Sequence, residues 1–260
     1  MKTEKKILSK EVISWAFYDW ANSAFATTVI AGFFPIFFKS FWANSLSDTE
    51  STALLGLANS LSGFFILIFA PFLGALADIT FRKKYMLVFF MLIGAGSTAS
   101  FFFIYEGYWM IAVIAYILAS IGFSGGNIFY DSLIIDVSND QSRNQVSAFG
   151  YAMGYLGGGI LFVVNVLMYL QPNIFGLASE IDAVLFSFLS VAIWWSIFTL
   201  PLIKFVRERK GEITSLSLAS TVKNSFFRVI NTFKEIRQYK NLFYFLVAYW
   251  LYMDGIDTVV

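Results

Sequence analysis

The stretch "SWAFYDWANSAFATTVIAGFFPIFF", residues 14–38, is long and apolar enough to form a helix that spans a bilayer. Two polar residues, Asp19 and Asn22, lie one turn apart near its start. A charged side chain at the centre of such a helix costs about 2.5–3.5 kcal/mol on insertion scales. The stretch therefore predicts a membrane helix whose acid is either shallow or functional.

Three aromatic residues surround the acid: Trp15, Tyr18 and Trp20. Such clusters are typical of the aromatic belt at a membrane interface. We therefore expect Asp19 to lie at the cytoplasmic mouth of a cavity, where it belongs to a gate or contacts solute. Asn22, on the same helical face and deeper, is the better candidate for solute contact.

The composition of the 260 residues also indicates a membrane protein, because 58% are hydrophobic and only 13% are charged. A soluble domain carries about 25% charged residues. The sequence contains neither cysteine nor histidine, which excludes thiolate metal sites and disfavours metalloenzymes and Ser-His-Asp hydrolases. We expect no metal, no cofactor and no nucleic-acid partner.

Six apolar runs are long enough to cross the hydrocarbon, and a seventh begins near Leu242. The sequence therefore predicts an all-α, polytopic membrane protein. The six runs are residues 14–38, 53–77, 85–104, 109–132, 146–170 and 183–203.

The basic residues predict the orientation of these spans. Seventeen of the eighteen Lys and Arg residues lie in segments on one side of the predicted membrane, and only Lys39 lies on the other. Because cytoplasmic loops are enriched in Lys and Arg, we expect the N-terminus to be cytoplasmic.

The chain divides into four predicted segments. Residues 1–13 form a cytoplasmic tail, and residues 14–203 form a six-helix transmembrane half. Residues 204–240 form a basic cytoplasmic loop, which is either an amphipathic helix on the membrane surface or a solvated linker. Residues 241–260 begin a seventh helix.

The stretch "GALADITFRKK", residues 74–84, lies in the predicted cytoplasmic loop between the second and third spans. It resembles the signature loop of the major facilitator superfamily, Gly-x-Leu-Ala-Asp-Arg-x-Gly-Arg-Lys. The matching positions are Gly74, Leu76, Ala77, Asp78, Arg82 and Lys83, whereas Ile79 and Phe81 replace the Arg and Gly of that pattern.

A gating role for this loop also makes physical sense. Gly74 would let two helices approach closely, and Arg82 could pair with Asp78 as a conformational latch. We therefore predict a gating loop of Gly74, Asp78, Arg82 and Lys83. In the alternative interpretation, the three consecutive basic residues only anchor the topology.

Residues 14–38 and the stretch "AFGYAMGYLGGGILFVVN", residues 148–165, are similar to bacterial permeases of this superfamily and to fungal vacuolar amino-acid effluxers associated with autophagy. This resemblance implies twelve helices in two halves, alternating access and no prosthetic group. On that basis the sequence holds the six-helix N-terminal half and the start of helix 7, with the second half absent. The resemblance also implies a monomer when full length, located in the inner membrane of the cell.

The resemblance further implies that helices 1, 4 and 7 line a central cavity. In helix 4, Asn127 and Asp131 share one face. Asn127 could instead only hold the bundle together, and Asp131 could be an interfacial residue in water. In helix 7, Asp254 lies past the middle of the span with Asp257 on the same side, unless the helix breaks at Gly255. The predicted residues for binding substrate or protons are Asp19, Asn22, Asn127, Asp131, Asp254 and Asp257.

Helix 5 carries small residues four apart at Gly150, Gly154 and Gly158, and Asn165 continues their face. This pattern lets two helices pack backbone to backbone. We predict either a static packing face or a gate surface.

These observations together predict a secondary active transporter for a small polar solute, with amino acid or peptide implied by the resemblance and protons as a candidate coupling ion. The alternatives are a non-transporting membrane scaffold or receptor, or an inactive half-transporter fragment. An intramembrane enzyme is disfavoured, because Asp254 and Asp257 lie on one helix and do not face each other across a cleft. No stretch resembles a nucleotide-binding loop.

Overall fold

The computed structural model describes residues 8–80, 82–208 and 238–259, and single positions 227, 231 and 236. Within these ranges the side chains of residues 75–80, 250 and 253–259 are not described. In this part of the chain the structure has seven long helices and two short 3-10 helices, Phe101–Phe103 and Pro172–Phe175. The long helices are α1 (Lys10–Trp42), α2 (Asp48–Thr80), α3 (Lys83–Ser100), α4 (Trp109–Val137), α5 (Arg143–Leu170), α6 (Glu180–Phe205) and α7 (Lys240–Val259).

Helices α1–α6 are each long and apolar enough to cross a membrane, among the residues that the structure describes. The predicted all-α architecture with six membrane-length helices is confirmed. Several helices extend past the predicted apolar runs; α4, for example, continues five residues beyond position 132. The predicted runs end earlier because hydropathy identifies only the apolar part of each helix. The helical hydrogen bonds of the backbone continue into the polar residues that follow. The predicted loop 204–240 lies largely outside the described residues.

Helix α1 is not a regular α-helix. Its segments Phe25–Phe33 and Phe38–Trp42 are π-helical. The N–H of Phe34 donates to the carbonyl of Val29, five residues earlier. Within this irregular region, Pro35 has no N–H to donate. Because π-helical turns are frequent at functional sites, the irregular backbone makes α1 a candidate functional helix.

Helix α1 packs most extensively against α5 and α6, while α4 pairs with α3. Large aromatic side chains fill the core of this bundle, including Trp42, Phe34 and Trp195. Helix α2 is more peripheral and leaves apolar side chains such as Phe64 and Leu67 exposed. Helix α1 therefore lies between α5 and α6, in the part of the bundle where its polar residues can meet those of neighbouring helices.

Candidate solute-binding cleft

A cleft of about 330 Å³ lies between α1, α4 and α5. It is at the end of the bundle where α1 and α5 begin and α4 ends. The residues that line it are Trp15, Asp19, Asn127, Tyr130, Asp131, Ile134, Ser147 and Tyr151. Three of the six predicted binding residues, Asp19, Asn127 and Asp131, are thus brought together from two helices.

The two carboxylates of the cleft differ in burial. Asp19 is partly buried, and its Oδ1 accepts a hydrogen bond of 3.3 Å from the hydroxyl of Ser23. Asp131 is exposed. Among the described residues, neither carboxylate forms an ion pair. The cleft therefore presents two acceptor-rich side chains that pair with no cation in the part of the chain that the structure describes.

The two predicted amides meet directly at the wall of the cleft. Nδ2 of Asn22, a buried residue, donates a hydrogen bond to Oδ1 of Asn127. Asn127 also lines the cleft. The bond ties α1 to α4, so Asn127 joins the helices and at the same time faces the cleft.

Aromatic rings form the wall next to the acids. The rings of Trp15 and Tyr130 stack with centroids 4.4 Å apart, and the indole N–H of Trp15 donates 3.0 Å to the carbonyl of Tyr130. Trp15 and Tyr18 are buried, so their assignment to an interfacial belt was wrong. A run of aromatic residues is compatible with a membrane interface and with a helix-packing core. Here the rings of Trp15 and Tyr18 pack against Tyr130 of α4, so they belong to the core.

The glycines of α5 bring that helix close to α1. A Cβ atom added at Gly154 would lie 2.9 Å from Cγ of Asp19, and one added at Gly158 would lie 2.9 Å from the carbonyl oxygen of Ser23. At Gly150 it would lie 2.7 Å from the Trp15 ring. The glycine stripe therefore packs against α1 within the described bundle, next to the residues that line the cleft.

Asn165 continues this contact deeper in the bundle. Its Oδ1 accepts a hydrogen bond of 3.3 Å from Thr28 of α1, and its Nδ2 donates 2.9 Å to Ser190 of α6. Asn165 is fully buried. One side chain thus links three helices.

In the predicted gating loop, the expected pair of Asp78 and Arg82 falls outside the described residues, while Lys83 forms an ion pair with α4. Lys83 is buried, and its ammonium lies 3.1 Å from Oδ2 of Asp136 at the end of α4. It also donates 3.1 Å to the carbonyl of Ser132. Arg82 is exposed, whereas the side chain of Asp78 lies outside the described residues.

Lys84, next in the sequence, caps the end of α6 through a bond of 2.7 Å to the carbonyl of Val206. At Gly74, an added Cβ would meet no described atom within 4 Å. Lys83 and Lys84 therefore connect the start of α3 to the ends of α4 and α6 through an ion pair and hydrogen bonds.

Asp254 and Asp257 lie in α7, but their side chains are outside the described residues. Sequence reasoning missed the cleft residues Tyr130, Ser147 and Tyr151. Ser147 and Tyr151 are spaced four residues apart just before Gly154, and that spacing is a signal that could have found them. Asp136 was also missed, although an acid within "LIIDV" requires a partner.

Comparison with known proteins places this geometry in context. A family model described as "Vacuole effluxer Atg22 like" matches residues 42–140 and 135–260. The uncharacterized MFS-type transporter YxiO of Bacillus subtilis is 39% identical over 260 residues, covering 98% of this chain and 59% of that protein. Autophagy-related protein 22 of Yarrowia lipolytica is 28% identical over 135 residues, covering 44% of this chain and 22% of the relative.

Two solved structures share the arrangement of helices. The xylose transporter XylE from E. coli, in an inward open conformation, matches with a TM-score of 0.53 and 17% identity over 85% of this chain and 55% of that chain. A D-xylose-proton symporter matches with a TM-score of 0.52 and 18% identity over 85% of this chain and 52% of its own. These matches show the major facilitator fold, and the chain spans little more than half the length of the proteins it matches.

Proposed function

We propose that this chain, which belongs to the vacuole effluxer Atg22-like family and has the major facilitator fold, forms part of a secondary active transporter. It moves a small polar solute across a membrane by alternating access. The observation that carries the proposal is the cleft in which Asp19, Asn127 and Asp131 meet.

The cleft supports transport because polar side chains in membrane-length helices are costly unless they face water, a solute or each other. In this bundle they converge at one end, where three helices meet. A cleft of about 330 Å³ lies within the range of about 300–1,000 Å³ for small-molecule sites. Convergence at a cleft is the arrangement that a solute pathway needs.

Several finer features belong to the same proposal. The solute is an amino acid or a peptide, and the protein is a monomer in the inner membrane with a cytoplasmic N-terminus. The placement of seventeen of eighteen basic residues supports the orientation. Protons are the proposed coupling ion, with Asp254, Asp257 and Asp19 as the carriers.

The test is transport by the protein expressed from the complete reading frame and reconstituted in liposomes. Amino acids, peptides, sugars and organic ions are screened with and without a pH gradient. We expect saturable uptake of at least one solute, strongly reduced in Asp19→Asn and in Asp131→Asn. Asp140→Asn is the matched control, because its carboxylate is exposed outside the cleft and pairs with Arg143.

The outcomes separate the parts of the proposal. If no solute of the panel moves, or if both cleft variants transport like the wild type, the cleft is not the solute pathway. If transport in an Asp254→Asn and Asp257→Asn double variant keeps its response to the pH gradient, proton coupling through α7 is wrong.

A further inference from the structure

We infer that the cleft selects solutes that carry a positive charge, in the form of an ammonium or guanidinium group, which binds between Asp19 and Asp131. This inference rests on the proposed transport function and adds the substrate class to it. Three properties of the cleft lead to it: its charge, its aromatic wall and a buried hydroxyl group in its lining.

The first property is the charge of the lining. Of the eight lining residues, two are acidic and none is basic. Other acids near this end of the bundle have cations of their own, since Asp136 pairs with Lys83 and Asp140 with Arg143. The cleft acids have no such partner among the described residues, so a cationic solute would supply it.

The second property is the aromatic wall. The ring of Trp15 stacks on Tyr130, and Tyr151 stands 66% exposed beside them. Aromatic faces attract ammonium and guanidinium groups electrostatically. They give no such attraction to a carboxylate or a phosphate, so the aromatic wall, like the two acids, favours a positively charged solute.

The third property is a buried hydroxyl group in the lining of the cleft. Tyr130 is 6% exposed, and its hydroxyl has no hydrogen-bond partner among the described residues. A buried polar group left without a partner is costly. Ammonium and guanidinium groups are all donor and no acceptor, so a cationic solute can donate to this hydroxyl oxygen as well as to the two carboxylates.

The experiment is equilibrium binding to the protein from the complete reading frame in nanodiscs, measured by calorimetry. The probes are butane-1,4-diamine and its guanidinium analogue 4-guanidinobutylamine, compared with uncharged butane-1,4-diol and anionic succinate. We expect the two cations to bind and the diol and succinate not to bind. Binding should weaken as the salt concentration rises, because the attraction is electrostatic.

Variants connect that binding to the cleft. Asp131→Asn and Asp19→Asn should each weaken diamine binding by about ten- to a hundredfold, the loss expected for one charged hydrogen bond. Asp131→Glu should retain more binding than Asp131→Asn, and Asp140→Asn should bind like the wild type. Since Asp131 is exposed, its variants preserve the packing even if Asp19→Asn does not fold.

The inference is overturned if the diol binds as well as the diamine, or if Asp131→Asn binds the diamine unchanged. If the liposomes transport a neutral solute while the diamine does not bind, the proposed function stands and the charge selectivity fails. If no solute of either panel is transported or bound, the proposed function itself fails.

Discussion

Two aspartates of α4, Asp131 and Asp136, lie five residues apart and have opposite surroundings. Asp136 is buried and holds the ammonium of Lys83 at 3.1 Å. Asp131 is exposed in the cleft and has no ion-pair partner among the described residues. One acid is thus used to hold the bundle together, and the other is available to a solute.

The difference follows from the side of α4 on which each residue lies. Five residues turn an α-helix by about 140°, because there are 3.6 residues per turn. Asp136 therefore points to the start of α3, which supplies Lys83, while Asp131 points to the α1–α5 contact, which supplies aromatic rings and hydroxyls. The residue type alone does not separate a structural acid from a binding acid; the neighbouring helix does.

The largest expected effect on stability comes from breaking the ion pair between Lys83 and Asp136. Lys83→Met removes the ammonium that lies 3.1 Å from the buried carboxylate of Asp136, and breaking a buried ion pair on one side costs about 3–5 kcal/mol of stability. Unfolding of the purified protein in detergent measures the loss. Replacing both partners, Lys83→Met with Asp136→Leu, should recover most of it, because both charges of the pair are then removed together.

Arg143→Met is the matched control, because it breaks an exposed pair with Asp140 and should cost less than about 1 kcal/mol. Equal losses for Lys83→Met and Arg143→Met would remove the contrast between a structural and an exposed ion pair.

The next effect concerns the close contact that keeps α5 against α1. A Cβ at Gly157 would lie 2.3 Å from the carbonyl oxygen of Trp20, so Gly157→Ala should destabilise by about 1–3 kcal/mol through overpacking. At Gly159 an added Cβ meets nothing within 4 Å, and Gly159→Ala should be neutral or slightly stabilising. Thermal unfolding measures the stability of the two variants relative to the wild type. A loss at Gly159 as large as that at Gly157 would contradict the packing role of the glycine face.

A loss of similar or smaller size is expected at Asn165, which resembles Asp136 in being buried with its partners in place. Asn165→Ala removes the hydrogen bonds that Thr28 and Ser190 make to the Asn165 side chain, at a cost of about 1–3 kcal/mol. The exposed Asn144 on the same helix is the control, and Asn144→Ala should change stability by less than about 0.5 kcal/mol. Chemical denaturation in detergent measures the stability of both variants. A similar denaturation midpoint for the two would show that the hydrogen bonds of Asn165 contribute nothing to stability.

The smallest effect on stability is expected at Asp131 itself. Asp131→Asn should unfold within about 0.5 kcal/mol of the wild type, because the side chain is exposed. Asp136→Asn should unfold more easily, since Lys83 then loses its counter-charge. If Asp131→Asn were the less stable variant, the roles assigned to the two acids would be reversed.

Much of this architecture could be predicted from the sequence because it depends on local properties. Membrane spans follow from the length of apolar runs, and the shared face of Asn127 and Asp131 follows from helical period. The glycines four apart predict a close-packing face on α5, although the pattern does not identify α1 as the helix that packs there.

The rest depends on tertiary contacts that no local pattern specifies. The partner of Lys83 lies 53 positions away at the far end of another helix. The aromatic residues beside Asp19 were assigned to a membrane interface because only the rings of α4 and α6 reveal that they are buried. The π-helical turns of α1 likewise have no sequence signal beyond Pro35.

One measurement tests the central claim, that the cleft between α1, α4 and α5 is the solute pathway. The 260 residues contain no cysteine, so in a cysteine-free background Ser147→Cys places a single thiol in the lining of the cleft. We expect a small thiol reagent to modify this residue, to block transport, and to react more slowly when the transported solute is present. Ser187→Cys, at a fully buried position of α6, should stay unmodified. Full transport after complete modification of Ser147→Cys would contradict the account.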